Sequence, residues 1–196
     1  MALPRRLLLL GCIGCLALFA VGCGQENDES IQGTGTPGEA FREGLAEEMN
    51  GLTYNVFITR QLNPKIPPDE AFYRGPEPKA DETLFGMFVQ VCNHEKEATK
   101  SVAPEKFVVS DSLGKTFKPV PLSDENSFAY RQRTLNPQEC IPQAGSAAQQ
   151  NSAAGALLVY RIPVENLENR PLELDIEGGF DIQRGEPDKL RYELDF

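Results

Sequence analysis

Histidine, the side chain that most often acts as a general base, occurs once in this sequence of 196 residues. Its single histidine, His94, lies in the polar run Cys92-Asn93-His94-Glu95-Lys96, directly after a predicted strand. A hydrolase triad needs a base beside its nucleophile, and a histidine among polar residues at a strand end is typical of an exposed turn. The sequence therefore predicts no catalytic residue and a protein that is not an enzyme.

Metal-binding patterns are equally weak. Acidic residues cluster at Asp69-Glu70, at Asp124-Glu125, and at Asp181 with Glu186 and Asp188. Calcium needs about six to eight oxygen ligands, and none of these runs has the spacing of an EF-hand. Transition metals favour several His, Cys or Met side chains. We expect no metal and no cofactor. A carboxylate pair for hydrolysis stays open as an alternative, because it depends on a separation in three dimensions.

The N-terminal 23 residues have the pattern of an export signal. Arg5 and Arg6 precede an apolar stretch of about 16 residues, shorter than the roughly 20 of a membrane span. The run Ala20-Val21-Gly22-Cys23 resembles the lipobox of bacterial lipoproteins, with Ala20 where that pattern prefers leucine. The resemblance implies a cleaved signal peptide over residues 1–22 and a lipid on Cys23. It places the chain on the extracytoplasmic face of the cell membrane. An uncleaved anchor and plain secretion are the alternatives.

Two cysteines remain beyond the signal and the predicted lipid site Cys23, namely Cys92 and Cys140. Disulfides persist outside the cytoplasm, and an even number of cysteines there favours pairing. A bridge closing about 49 residues would stabilise the fold by roughly 4 kcal/mol in the chain-entropy model. A metal or redox pair is the weaker interpretation, since Cys92 and Cys140 do not have CxxC spacing and the chain has a single histidine.

The net charge of the chain limits the classes of partner that it can bind. The formal net charge is −10, and removal of Arg5 and Arg6 with the signal lowers it to about −12. Such a surface repels phosphate backbones, so we expect no nucleic-acid partner. It also argues against a domain that lies flat on anionic lipid.

The chain after the signal divides into a tether and one domain. Residues 23–50 are polar and rich in glycine and acid, which predicts a flexible tether with at most a weak helical turn over Glu39–Met49. Residues 51–196 are long enough for one ordinary domain.

Alternating apolar residues predict short strands through this domain. In the strongest one, Phe85, Met87, Val89 and Val91 share a face, so Cys92 points away from the main core. About seven or eight strands without a long amphipathic helix predict an all-β, antiparallel β-sandwich, with a closed barrel as the alternative. The predicted strands are Leu52–Ile58, Phe85–Asn93, a hairpin of Phe107–Val109 and Thr116–Phe117, Phe128–Tyr130, Gly155–Pro163, Pro171–Glu177 and Leu190–Phe196.

Two irregular segments interrupt the strands. Pro64–Pro78 is rich in proline, and Gln143–Gly155 is small and polar. Both are predicted to form an adaptable binding surface on a rigid frame, with a role as plain spacers as the alternative.

The order of several motifs resembles a family of bacterial immunoglobulin-like domains of unknown function. The matching pieces, between Leu52 and Glu177, are Val89–Asn93, Phe107–Asp111 with Gly114 and Phe117, Gly155–Pro163, and Leu172–Leu174. The family is common in secreted and lipid-anchored proteins of Gram-positive bacteria, including actinobacterial types. The resemblance implies an immunoglobulin-like sandwich exposed outside the cytoplasm, and it supplies no catalytic residues.

Together these observations favour a lipid-anchored envelope protein that is a non-catalytic binding module for a protein or cell-wall component. Two alternatives remain. One is an extracytoplasmic hydrolase that uses carboxylates, and the other is a structural accessory lipoprotein of a membrane complex.

Overall fold

A computed structural model describes residues 40–96 and 99–195. The predicted signal peptide, Cys23 and most of the predicted tether lie outside these residues. None of the helices described is long and apolar enough to cross a membrane.

In the described ranges the chain forms strands with three short helical turns. The helices are α1 (Asp69–Phe72), α2 (Ala147–Gln150) and a 3₁₀ helix over Val164–Glu168. The strands are β1 (Phe41–Arg42), β2 (Ala46–Met49), β3 (Leu52–Leu62), β4 (Glu82–Cys92), β5 (Ser101–Val102), β6 (Lys106–Ser110), β7 (Thr116–Phe117), β8 (Thr134–Leu135), β9 (Cys140–Ile141), β10 (Ala156–Pro163), β11 (Leu172–Asp181) and β12 (Glu186–Leu194).

The strands pair into two main sheets. The first has the order β10-β4-β3-β2, with β9 beside the end of β4, and the second has the order β1-β12-β11-β6-β7. Strands β5 and β8 form a small separate pair. All named pairs are antiparallel except β1 with β12. The predicted β-sandwich is confirmed, and the alternative of a single closed barrel is wrong.

The main core fills the space between the two sheets. Each strand contributes alternate residues, as a half-buried strand must. The predicted inward faces are confirmed for β10, for β11 and for the strongest strand, β4. Their buried residues are Ala156, Leu158, Tyr160 and Ile162 from β10, Leu172, Leu174 and Ile176 from β11, and Phe85, Met87, Val89 and Val91 from β4.

The outer face of the first sheet is also buried. Leu84 and Phe88 of β4 and Leu157 and Val159 of β10 form a second cluster with Phe72 and Tyr73, all at most 4% exposed. This cluster is the reason that α1 and the chain around Phe128 pack on the outside of the sheet.

A bulge interrupts the predicted alternation of β3. The pairing of β3 with β4 shifts register between Val56 and Ile58. Ile58, expected on the core face with Leu52, is consequently 40% exposed, whereas Thr59 is 3% exposed. An extra residue in one strand reverses the facing of every residue after it.

The sandwich starts earlier than residue 51. The predicted tether and helical turn are wrong from Phe41 onward, because β1 and β2 are strands of the two sheets. Asn50 and Gly51, with φ of 53° and 71°, form a two-residue turn between the paired residues Met49 and Leu52. Asn-Gly suits such a hairpin turn because both positions need positive φ.

The predicted disulfide joins Cys92 and Cys140. These residues are directly opposite each other on β4 and β9, with 4.1 Å between their Cα atoms. Cys92 is next to Val91, which faces the main core, so the bridge lies on the outer side of the sheet, as predicted.

Two other predictions need correction. Phe128–Tyr130 is not a strand, and only Ala129 makes a bridge, to Leu157. The segment Gln143–Gly155 contains α2, whose Ser146 cap accepts a hydrogen bond from the Gln149 backbone. Ala148 of α2 is 3% exposed. The predicted C-terminal strand corresponds to β12, which begins at Glu186 and pairs with both β11 and β1.

The two ends of the sandwich differ in what they carry. Phe41 pairs with Tyr192 near the end of β12, so the chain enters at the end that also carries Leu172 and Leu194. We call this the entry end. The opposite, far end carries the Asn50-Gly51 turn, and the Asn50 Oδ1 atom accepts a hydrogen bond of 2.8 Å from the Gly179 N–H. The Asn50 Nδ2 group donates to Asp188 Oδ2 at 2.8 Å, so one side chain ties the two sheets together.

Replacing Gly178 should weaken the hydrogen bonds through which Asn50 links the two sheets. A Cβ atom at Gly178 would lie 2.3 Å from Asn50 Oδ1 and 2.8 Å from Met49 Cε, whereas one at Gly179 would meet nothing closer than 3.6 Å. We expect Gly178→Ala to lower the free energy of unfolding by about 1–3 kcal/mol, and Gly179→Ala to change it by less than about 1 kcal/mol. Urea unfolding of both variants measures the difference, and equal values would contradict the contact.

Glu43 should make stability depend on pH. Burial raises the pKa of its carboxyl group from 4.5 to about 7, although the hydrogen bond from the Thr59 hydroxyl opposes this shift. A raised pKa in the folded state means that the unfolded chain loses its proton first as pH rises. The free energy of unfolding should therefore fall between about pH 4.5 and 7.

Glu43→Gln cannot ionise and should remove part of this fall. Melting temperatures measured from pH 5 to pH 8 should drop less steeply for Glu43→Gln than for the unmodified chain. Glu48→Gln, on the exposed side of β2, is the matched control and should keep the original slope. The same slope for Glu43→Gln and the unmodified chain would disprove the role of this carboxyl group.

Candidate interaction surface

The candidate catalytic and metal-binding residues are separate from one another in the fold. His94 is exposed, and its backbone carbonyl accepts a hydrogen bond of 2.8 Å from the side chain of Gln138. Within residues 40–96 and 99–195, no three His, Cys, Asp or Glu residues are grouped so as to hold a metal ion.

The acidic clusters serve structural roles. Asp69 is 6% exposed. Its carboxylate accepts a hydrogen bond of 2.8 Å from the Asn63 N–H and forms an ion pair with the Arg60 guanidinium. These two contacts fix the start of α1. Asp181 and Asp188 both pair with Arg184 in the turn between β11 and β12. The hydrogen bonds and charge of Arg184 lower the pKa of Asp181, which stays ionised.

A cavity opens on one flank of the sandwich. It has a volume of about 630 Å³ and is lined by residues 105–108, 118–122, 129–132 and 157–158. We call it the lateral groove. This volume is typical of ligand sites in proteins. Its residues come from four separate segments, brought together where β6 of one sheet and β10 of the other approach the same flank.

Aromatic and aliphatic side chains form the floor of the groove. The rings of Phe107 and Tyr130 meet edge to face with centroids 4.8 Å apart. The Tyr130 hydroxyl donates a hydrogen bond of 2.8 Å to the Pro104 carbonyl. Burial raises the pKa of Tyr130, so its hydroxyl stays protonated and remains a donor. The floor is therefore apolar and fixed in position.

One wall of the groove is a segment that crosses between the sheets. After Phe117 of β7 the chain leaves the second sheet, and the Val120 N–H donates to the Val159 carbonyl of β10 at 2.7 Å. The Tyr130 N–H donates to the Leu157 carbonyl at 2.9 Å. These bonds cover the edge of β10 and make the wall stiff.

The rim of the groove is mostly cationic. Lys106, Lys118 and Arg131 line it, against the single carboxylate of Glu105. Lys106 forms an ion pair with Glu177, with 2.9 Å between Nζ and Oε2. Arg131 forms a longer ion pair with Asp124, with 3.6 Å between Nη1 and Oδ1. Lys118 is exposed and makes no ion pair with a described residue. This rim contrasts with a chain whose net charge is −10.

The edge of β6 is incompletely paired along the groove. All five residues of β6 pair with β11 on one side. On the other side β7 pairs only with Val109 and Ser110. Lys106, Phe107 and Val108 therefore have no strand partner on the groove side among the described residues. An exposed strand edge of this kind can accept another strand.

A second cavity adjoins the groove. It has a volume of about 510 Å³ and lies between residues 71–76 and residues 121–128, with Pro121 and Leu122 shared with the groove. The predicted adaptable segment Pro64–Pro78 supplies one wall of it. That segment is firmly held, because the Tyr73 hydroxyl accepts a hydrogen bond from Arg161 at 3.1 Å.

A third cavity, of about 480 Å³, opens at the far end. Val102 and Phe180 line it and are each 66% exposed, and Ile182 in the adjacent turn is 88% exposed. The other predicted adaptable segment, Gln143–Gly155, lines none of these three cavities.

Sequence reasoning did not identify the lateral groove. Its floor combines residues about 50 positions apart, and no local pattern predicts that Phe107 and Leu158 line one cavity. The alternation Lys118-Pro119-Val120-Pro121-Leu122 was the available signal. Two prolines that flank a valine indicate an extended segment unable to join a sheet interior.

Comparison with known proteins shows the fold alone. No protein-family model matches the chain, and no curated protein sequence matches it. Among solved structures, the yjhA protein from Bacillus subtilis is similar, with a TM-score of 0.51 and 14% identity over 79% of this chain and 99% of that one. An uncharacterised β-sandwich protein from Clostridium difficile 630 gives a TM-score of 0.44 and 13% identity, over 80% of this chain and 97% of that one. At such identity, the likeness to the yjhA protein is a likeness of the sandwich framework.

Proposed function

We propose that this chain is a lipid-anchored protein of the extracytoplasmic face, whose β-sandwich is a non-catalytic binding module for a protein or cell-wall component. The observation that carries the proposal is the lateral groove, which combines an apolar floor, a cationic rim and an open strand edge. A rigid framework that presents such a groove suits recognition of a partner. The resemblance to immunoglobulin-like domains of Gram-positive lipoproteins supports the same reading.

The contents of the groove support binding over hydrolysis. Carboxylate catalysis needs two acidic groups that face each other across the substrate, and the groove contains only Glu105. Glu43, whose pKa is raised toward neutrality, contacts Thr59 and lines none of the three cavities described above. Its raised pKa is therefore explained by burial within the fold.

The entry point of the chain is compatible with an anchor at Cys23. The 16 residues between Cys23 and Ala40 span at most about 60 Å when fully extended. They join the sandwich at the entry end, beside Tyr192. A segment of this length is long enough to place the sandwich clear of the membrane surface.

A structural role in a membrane complex is the second candidate. The exposed side chains of Val102, Phe180 and Ile182 at the far end favour it. Apolar side chains grouped on a surface commonly mark a contact with another protein.

The lipid itself gives the first test. Cells expressing the chain are fed an alkyne-tagged palmitate, and the purified protein is analysed by fluorescent labelling and intact-mass spectrometry. The unmodified chain and a Cys12→Ala variant should carry label and begin at Cys23, whereas Cys23→Ala should carry none. An unlabelled protein, or label retained in Cys23→Ala, would overturn the anchor.

The groove gives the second test. A photo-reactive amino acid is placed at Lys118 in the groove, at Phe180 at the far end, or at the exposed Lys79 away from all three cavities. Illumination of intact cells should give a discrete crosslinked species from position 118 and none from position 79. Crosslinking from position 180 alone would support the structural role instead, and equal products from all three would contradict a specific surface.

A further inference from the structure

We propose that the lateral groove binds an extended acidic peptide segment of a partner protein, which adds as a short strand to the open edge of β6. This inference rests on the proposed binding function and specifies the partner. Its three supports are the direction of the backbone groups of β6, the charge of the rim, and the length of the free edge.

The backbone of β6 presents hydrogen-bonding groups to the groove. The Asp111 N–H donates to the Lys115 carbonyl at 3.0 Å, so Asp111 points its backbone toward β7. Alternate residues of a strand point their backbone groups the same way, which turns Val109 and Phe107 to that side as well. The Phe107 carbonyl lies 3.4 Å from the Tyr160 hydroxyl, on the β10 side, in agreement with this direction.

Pairing through the backbone needs a partner with repeating N–H and C=O groups. β7 leaves the edge after Phe117, so the Phe107 N–H has no strand opposite it in the described chain. An extended peptide supplies the missing carbonyl, as in strand addition to a sheet edge. A glycan has no such repeating backbone.

The rim selects acidic side chains on that peptide. Lys118 is exposed and without an ion pair in the described ranges. The Asp124 partner of Arg131 is fully exposed, at 104%, and is therefore easily exchanged for an incoming carboxylate. The rest of the chain is strongly acidic, which repels such a peptide from other surfaces and favours the rim.

The free edge is short and closed at both ends. At one end the chain crosses toward β10 through residues 118–122, and at the other the Ala103 N–H donates to the Arg133 carbonyl at 3.1 Å. About four residues, 105–108, lie between, a length of roughly 13 Å for an extended strand. One face of an added strand would meet Tyr130 and Leu158, and the other would meet solvent and the lysines. The preferred segment therefore alternates apolar and acidic residues.

The test uses the full-length chain in detergent and a fluorescein-labelled hexapeptide, Val-Glu-Val-Glu-Val-Thr, with both termini blocked. Two companion peptides isolate the two interactions. In one, both glutamates are lysines. In the other, the backbone nitrogens on the pairing side carry methyl groups, which leaves the charge unchanged and removes the donors. Fluorescence anisotropy at 50 and 300 mM NaCl measures the affinity.

We expect the acidic peptide to bind with saturation below 1 mM, and more weakly at the higher salt concentration. Lys118→Glu should weaken binding by about five- to tenfold, because an attraction becomes a repulsion. Lys79→Glu makes the same charge change at an exposed residue that does not line the groove, and it should leave the affinity within about twofold. The lysine peptide and the N-methylated peptide should both bind at least about fivefold more weakly.

Distinct results overturn the inference and the proposed function. No saturation by the acidic peptide, equal binding of the acidic and lysine peptides, or equal effects of Lys118→Glu and Lys79→Glu would refute the acidic segment. Full binding of the N-methylated peptide would refute strand addition. If the peptide-binding predictions fail while position 118 still crosslinks in cells, the groove remains a binding site for another ligand, a glycan included. Failure of that crosslink removes the binding function itself.

Discussion

The structure depends on the burial of β4 and β10 on both of their faces. Met87 and Val89 face the second sheet, whereas Leu84 and Phe88 face outward, and all four are at most 1% exposed. Each large apolar side chain contributes roughly 1.5–3 kcal/mol when it is removed from water, so an uncovered outer face would be costly. The chain covers this face with α1, with the crossing segment (residues 118–122) and with the chain around Phe128. Edge-to-face contacts of Phe72 with Phe88 and with Phe128 complete the packing.

This covering requirement also creates the lateral groove. The crossing segment must leave the second sheet after Phe117 to reach β10, and in doing so it stops pairing with β6. The edge of β6 is left open at the place where the crossing segment forms a wall, so the groove and its unpaired backbone have one cause. Lys118, at the point of departure, is consequently exposed beside a free strand edge. The candidate binding surface is a by-product of covering the outer face of the first sheet.

Polar contacts fix how the two sheets face each other. The Tyr192 hydroxyl of the second sheet donates to the Tyr54 carbonyl of the first at 3.1 Å, and Tyr160 of the first approaches Phe107 of the second. Burial raises the pKa of Tyr192 and of Tyr160, so both phenols remain protonated donors. A buried hydroxyl group without an acceptor destabilises the fold. The hydroxyl groups therefore favour the relative position of the two sheets in which each of them has an acceptor. At the far end, Asn50 adds a third link between the sheets.

The sequence by itself determined β10 and the part of β11 up to Glu177, where side chains alternate without interruption, and the pairing of Cys92 with Cys140. Alternation is local information, because it depends only on which residues face a common core. The hairpin of β2 and β3 was also readable from Asn50-Gly51 between apolar residues, a turn signal that the interpretation of residues 23–50 as a tether passed over. Tertiary structure alone decided the bulge before Ile58, the burial of Phe72 and the lateral groove. A bulge is set by the partner strand, and a groove is set by segments distant in sequence, so neither leaves a periodic trace in the chain that contains it.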